Sequence, residues 1–361
     1  MHLAKSRSAF RIFIFISVIA LSAGCHGGSG GSGGDPGDTK GEDVTWKISS
    51  ISVQSVTDGQ PVVEETYTFT YDKEAQTVRE VYLSDQGNDS QLSTFTRTDT
   101  GWTCHYEIDS GRNGSVNITS DNEYDIIRGF ISDNQTFNYN DYPEYDTWYG
   151  SYVYTYTFDE YGSHEKTEYA YTSTGYDDAQ GEVYVEEVID NTYDEGNRLV
   201  KRDIYREDSD KIDSTYEFTY GSNGKVSGVV KKEFTYSTSE TVDVTKRTYT
   251  RVGDSPSEWD YNTFVDYLIG SMSTGLVSFQ NINGLFVETR EEIYRGNDSV
   301  RESVTNFTYD QGWRMLKEEI DSNNDGTVDS TITHTLAFDD NGKLTREETP
   351  YWIVTYTWTW Q

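Results

Sequence analysis

A short acidic segment near the end of the chain carries the densest set of metal-ligating side chains. Asp321-Ser322-Asn323-Asn324-Asp325-Gly326-Thr327-Val328-Asp329 places side-chain oxygens at alternating positions and glycine sixth, where a sharp turn is needed. Hard cations such as calcium take oxygen ligands in that arrangement. Asp321, Asn323, Asp325 and Asp329 would supply them. The twelfth position is Ile332, where an EF-hand places a bidentate glutamate, and no helical pattern flanks the segment. An EF-hand is therefore excluded. Two readings stay open: a looser calcium-stapled turn, and a plain acidic hairpin turn that holds no cofactor. Gly296-Asn297-Asp298 and Gly87-Asn88-Asp89 hold equivalent positions with fewer ligands, which favours the plain turn.

Catalytic chemistry finds little support, and the chain reads as a non-enzyme. His26, His105, His164 and His334 are far apart in sequence. There is no His-Glu-x-x-His, no phosphate-cradling Gly-Lys motif, and no Gly-x-Ser-x-Gly elbow carried on a strand. Carboxylates are so common that pairs of them discriminate nothing. Cys104 and His105 are adjacent, but neighbouring strand residues point to opposite faces. Cys104 therefore reads as a buried thiol, and His334, between Thr333 and Thr335, as a cross-strand or surface residue.

The amino terminus carries a different chemistry. Lys5, Arg7 and Arg11 precede the apolar run Ile12–Leu21, and Ser22-Ala23-Gly24-Cys25 follows. A basic start, a short apolar core and a small-residue site make a secretory signal. The core is too short for a spanning helix, which needs roughly 20 apolar residues. Leu21-Ser22-Ala23-Gly24-Cys25 resembles the lipobox of bacterial lipoproteins; Ser22 stands where leucine is commoner. The resemblance implies cleavage before Cys25 and acyl chains (palmitate among them) on that cysteine, whose joint insertion gives stable membrane attachment. Residue 26 is histidine rather than the aspartate that resembles an inner-membrane retention signal. The expected address is the outer membrane, facing the periplasm or the cell surface. Residues 1–24 are then signal peptide, and the Gly/Ser-rich residues 25–43 a lipidated flexible tether.

Without residues 1–24 the chain holds 26 Lys and Arg against 62 Asp and Glu, a net −36. Nucleic acid is excluded as a partner, because its binding rests on basic groups meeting phosphate. Acidity of this degree keeps a protein soluble and separate. With Cys25 lipidated, Cys104 has no disulfide partner, so packing must hold the fold.

The elements that position these residues read as strands. Tyr67, Phe69 and Tyr71 alternate with Thr66, Thr68 and Thr70; Tyr152, Tyr154, Tyr156 and Phe158 alternate with Val153, Thr155 and Thr157. Alternation of this kind gives one aromatic and one polar face. Aromatic anchors followed by turn residues recur at Tyr220, Tyr249, Phe279, Tyr309 and Phe338, about 29 residues apart. The expected fold is all-β: an antiparallel meander of such strand–turn repeats over residues 44–361, open or rolled, as one domain or as halves 44–190 and 191–361. One short helical insertion is expected near 255–270, capped by Ser255 and Pro256. Its stripe would be Trp259, Phe264, Val265, Leu268 and Ile269.

Tyr193-Asp194-Glu195-Gly196-Asn197-Arg198-Leu199, Tyr309-Asp310-Gln311-Gly312-Trp313-Arg314-Met315 and Phe338-Asp339-Asp340-Asn341-Gly342-Lys343-Leu344 resemble the YD repeats of bacterial proteins that include the RHS group. Those proteins wind their repeats into a large β-shell. The resemblance implies strand–turn repeats on an exported protein, and little about activity. An outer-membrane barrel is set aside, because the polar strand faces carry too many Glu, Lys and Arg for a lipid-facing band. Tyrosine and tryptophan faces suit glycans. The expected function is a non-enzymatic binding or structural role in the envelope, with a glycan or envelope protein as partner. The alternatives are a periplasmic carrier holding apolar cargo in a rolled sheet, and an envelope hydrolase with scattered active-site residues.

Overall fold

The computed structural model of the chain describes residues 46–360, less the segments 58–59, 85–88, 111–115, 126–128, 139–148, 175–178, 207–210, 237–241, 255–275, 280–281 and 297–299. Cys25, the signal, the tether and the helical insertion expected near 255–270 lie outside the described residues.

Strands β1 (Trp46–Thr57), β2 (Gln60–Asp72), β3 (Thr77–Ser84), β4 (Asp89–Arg97) and β5 (Gly101–Ser110) pair in chain order, each antiparallel to the last. The ladder continues through β6 (Ile118–Asp125), β7 (Gly129–Asn138), β8 (Tyr149–Phe158), β9 (His164–Thr174) and β10 (Ala179–Tyr193). Next come β11 (Leu199–Arg206), β12 (Ile212–Tyr220), β13 (Val226–Tyr236) and β14 (Val242–Gly253). β10 runs across residue 190, so the ladder has no break there. β14 pairs with β16 (Ile282–Arg295), on which the short β15 (Leu276–Phe279) is a branch.

β17 (Val300–Tyr309), β18 (Met315–Asp321) and β19 (Ser330–Thr333) follow. β20 (Thr335–Phe338) is separated from β19 by His334 alone and pairs with β21 (Leu344–Glu348). β22 (Trp352–Trp360) pairs with both β21 and β1. The ladder thus returns to its first strand. The expected meander is present, and of the two forms left open it is the rolled one: a nearly closed, barrel-like sheet.

Register keeps one face inward across β1–β3 and the closure with β22. Ile51 opposes Tyr67 and Tyr67 opposes Tyr82; at the closure Tyr356 opposes Ile51. Ile51, Tyr67, Phe69, Val78, Phe95, Trp102, Tyr106 and Tyr356 are buried in one cluster on that face. Outward positions such as Thr68, Thr70, Thr103, His105, Glu123, Thr155 and Thr157 are exposed. The Thr/Tyr alternation therefore turns aromatic rings inward and hydroxyls toward water.

The start of β16 breaks this rule. Leu285, Phe286 and Val287 are 4%, 0% and 2% exposed, although successive strand residues face opposite ways. Leu285 and Val287 join the cluster just named, while Phe286 packs in a second one with Leu199, Phe218, Val226, Val229 and Tyr249. This end of β16 is thus buried on both faces, between the two clusters.

The recurring aspartate has a structural reason. Asp159, Asp194, Asp310 and Asp339 each follow an aromatic residue and accept, through Oδ1, the amides two and four residues on, at 2.8–3.0 Å. The residue three places on has positive φ: Gly162 and Gly342, but Asn197 and Trp313 in the other two turns. There the glycine comes one place earlier, where a Cβ on Gly312 would lie 3.0 Å from Arg314 Nη1. The anchor at Tyr249 is different, because β14 runs on to Gly253 without such a turn. Inward tyrosines also tie adjacent strands: Tyr220 donates to Leu199 O at 2.8 Å, and Tyr309 to Glu288 O at 2.6 Å.

Glu80 lies on the inner face of β3, only 2% exposed, opposite Ser93 and Phe69. Burial pushes its carboxyl up to about 7. A raised carboxylate favours the folded state only while protonated, so stability is lost as pH rises from the ordinary value through 7. Glu80→Gln should therefore stabilise the protein at pH 8, by on the order of 3 kcal/mol. It should change little at pH 4. Thermal unfolding at the two pH values checks this; equal shifts at both would contradict it.

Candidate functional site

Strands β6 to β10 present a continuous polar and aromatic array on the inner face. Two cross-strand rows form it. One runs Ser120, Gln135, Tyr152, Tyr171; the other runs Asn122, Asp133, Tyr154, Tyr169, Tyr184. The rings of Tyr152 and Tyr171 stack with centroids 4.8 Å apart and planes at 21°. Tyr154 meets Tyr169 at 5.7 Å, and Tyr169 stacks on Tyr184 at 5.3 Å. Directly opposed inner-face side chains are the closest neighbours in a sheet, which is why the tyrosine pairs of β8 and β9, at two-residue spacing, converge with Tyr184 of β10. Tyr184 is 39% exposed, so the array opens to solvent at that edge.

The polar half of the array is hydrogen-bonded. Ser120 Oγ lies 2.8 Å from Asp133 Oδ1 and 2.9 Å from Asn122 Oδ1. Gln135 Nε2 donates to Tyr106 Oη at 2.9 Å. Burial holds the Asp133 carboxyl above the usual carboxylate range, against the lowering effect of Ser120. Burial likewise pushes the Tyr154 and Tyr156 phenols well above their ordinary value, so they remain protonated donors. Flat rings beside amide, carboxyl and hydroxyl groups suit a ligand with both apolar faces and many hydroxyls.

Cys104 faces inward and burial pushes its thiol up, while His105 faces out and lies 2.8 Å from Asp121 Oδ1. They do not meet. His334 faces inward, 4% exposed, between Glu318 and Glu347.

The Asp321–Asp329 turn closes on its own amides. Asp321 accepts from the amides of Asp325 and Gly326, Asn323 from that of Asp325, and Asp325 from that of Thr327. Asp329 Oδ2 accepts from Ser322 N and Oγ. Among the described residues no group of three or more His, Cys, Asp or Glu is arranged to hold a metal ion. The plain-turn reading expects the same unfolding midpoint in 1 mM calcium and in chelator. A calcium-dependent rise, removed by Asp325→Ala, would favour the metal reading instead.

The aromatic face of β8 was legible in the sequence. Its neighbours Tyr169, Tyr171, Tyr184, Asp133 and Gln135 were not, because they join it only through register.

No protein-family model and no curated protein sequence matches the chain. Among solved structures it is similar to a porin-like protein from Bacteroides uniformis, with 11% identity, a TM-score of 0.20, and coverage of 86% of this chain and 98% of that one. A porin-like protein from Bacteroides vulgatus gives 7% identity, a TM-score of 0.23, and coverage of 87% and 98%. The TcdB2-TccC3-TEV structure gives 10%, 0.23, and coverage of 83% of this chain and 19% of that one. At such TM-scores no conclusion about this chain rests on these likenesses.

Proposed function

We propose that the chain is a lipid-anchored, non-catalytic binding protein of the cell envelope that takes a glycan on the tyrosine array of β8–β10. The observation that carries this reading is the pair of cross-strand rows that set stacked tyrosines beside Gln135, Asp133 and Asn122. Pyranose rings stack on flat aromatic faces while their hydroxyls take hydrogen bonds from planar polar groups. The polar outer face supports attachment through acyl chains on Cys25 rather than through the wall itself, since a spanning barrel needs an apolar outer band. The expected address is the outer membrane.

Calorimetric titration with a panel of neutral hexasaccharides tests the site. Binding is expected, and Tyr154→Ala or Tyr169→Ala should weaken it about tenfold, a change of roughly 1.4 kcal/mol. A second reading, a carrier of apolar cargo, is favoured by the inward direction of the array. Loss of a bound fatty-acid probe in the same variants, with no saccharide binding, would replace the glycan reading by that one. Cys25→Ser should move the protein from the membrane to the soluble fraction; unchanged membrane binding would end the lipoprotein reading. Protease treatment of intact cells tells surface from periplasm.

A further inference from the structure

We infer that Arg202, with Lys231 and Arg247 on neighbouring strands, forms a second ligand site on the inner face, one that takes an anionic oxygen of a carboxylate or phosphate. Basic groups are scarce in a chain of net charge −33. Yet Arg202 on β11 opposes Tyr216 on β12, which opposes Lys231 on β13, which opposes Arg247 on β14. Adjacent strands are about 4.8 Å apart, so the row spans roughly 14 Å. Lys231 and Arg247 already have acidic partners: Lys231 lies 2.8 Å from Glu233, and Arg247 pairs with Glu233 and, at 3.0 Å, with Glu291.

Arg202 is built differently. It is 6% exposed. Its Nε donates to Asn191 Oδ1 at 3.0 Å, and its Nη2 is buried with no hydrogen-bond partner among the described residues. The acid linked to it through Asn191 is Asp159, whose oxygens are occupied. Oδ1 holds the amides of Tyr161 and Ser163, and Oδ2 accepts from Tyr193 Oη and from Asn191 Nδ2. His164, nearby, is held neutral by burial, which lowers it to about 4, so it brings no second cation. Asp159 and Glu187 favour its charge from a distance, but a buried ion with no carboxylate bonded to it still costs several kcal/mol, and one spare N–H left unsatisfied adds to that. A guanidinium's forked donors match carboxylate and phosphate oxygens. The side chains of Lys231 and Arg247 are 22% and 30% exposed. They form the open approach of the row, and Arg202 forms its buried end.

The test is calorimetric titration of the full-length chain, purified in detergent, with sodium phosphate and separately with sodium glucuronate. Chloride holds ionic strength constant. At least one anion should bind and raise the unfolding midpoint; which one does so separates a phosphate source from a carboxylate source. Arg202→Lys keeps the charge but lacks the fork, and should weaken binding at least tenfold. Arg202→Gln should abolish it. If the glutamine variant fails to fold, wild type and Arg202→Lys decide. Absence of binding by both anions to wild type, or wild-type affinity in Arg202→Lys, overturns the inference. The tyrosine array uses different side chains, so either site can fail alone.

Discussion

Phe286→Ala is expected to lower the free energy of unfolding by about 3–5 kcal/mol, the upper range for a large apolar side chain removed from a packed interior. Phe286 is 0% exposed. It fills the cluster of Phe218, Val229 and Tyr249 from one face of β16, while Leu285 and Val287 fill the larger cluster from the other. Collapse around the missing ring is resisted, because β16 is also held by its ladder with β14. Rigid surroundings leave a cavity rather than close it. Val183→Ala, at a position 65% exposed on β10, should change stability by less than about 0.5 kcal/mol. Urea unfolding followed by far-ultraviolet circular dichroism compares the two. A loss below about 1 kcal/mol for Phe286→Ala would mean that β16 does not lie between the clusters.

His334→Ala should be comparably damaging, by about 3–5 kcal/mol, the typical loss when one partner of a buried ion group is removed. Its Nδ1 lies 2.8 Å from Glu347 Oε1 and its Nε2 2.9 Å from Glu318 Oε1. Both ring nitrogens face carboxylates, which only the imidazolium satisfies as a double donor. The residue sits where one strand changes partners: its amide donates to Leu316 O, the last bond toward β18, and Thr335 begins the pairing with β21. It therefore ties three consecutive wall positions at a joint in the ladder. Burial opposes its charge, but the two glutamates outweigh that and raise the imidazole to about 9.

A raised histidine contributes stability that is full below its unfolded value near 6.5 and is lost as pH rises through 9. The contribution is on the order of 3 kcal/mol. Glu80 and Glu288, both raised to about 7, also lower stability as pH rises, and complete their effect near 7. His164, lowered to about 4, acts in the opposite sense below 6.5. His105, raised by its hydrogen bond to Asp121, acts in the same sense as His334 but is half exposed and screened by solvent, so the interval from 7 to 9 belongs mainly to His334. Unfolding midpoints should fall across that interval in wild type and stay nearly level in His334→Gln. Parallel profiles for the two proteins would contradict the assignment.

His334 also marks where sequence reading stops. Its place within a strand was legible from Thr333 and Thr335, and a cross-strand role followed. Its two glutamates were not, since Glu318 and Glu347 are ordinary members of an acidic chain until register brings them to the same face. Cys104 was fully legible: strand alternation alone separates it from His105. Leu285-Phe286-Val287 carried a signal that was overlooked, a continuous apolar run, which is what a strand buried on both faces requires.

The sequence by itself determined the strands, their inward aromatic and outward polar faces, the aspartate-centred turns, the acidity, and the signal and lipobox-like start on which the anchor proposal rests. All of these depend on residues within a turn or two of one another. Tertiary structure alone decided that β22 pairs with β1, that β16 lies between two clusters, that tyrosines of three strands stack beside Asp133 and Gln135, and that Arg202 is buried with no carboxylate of the described residues bonded to it. A period of two fixes which way each side chain points, but register between strands is set by packing around the whole ring.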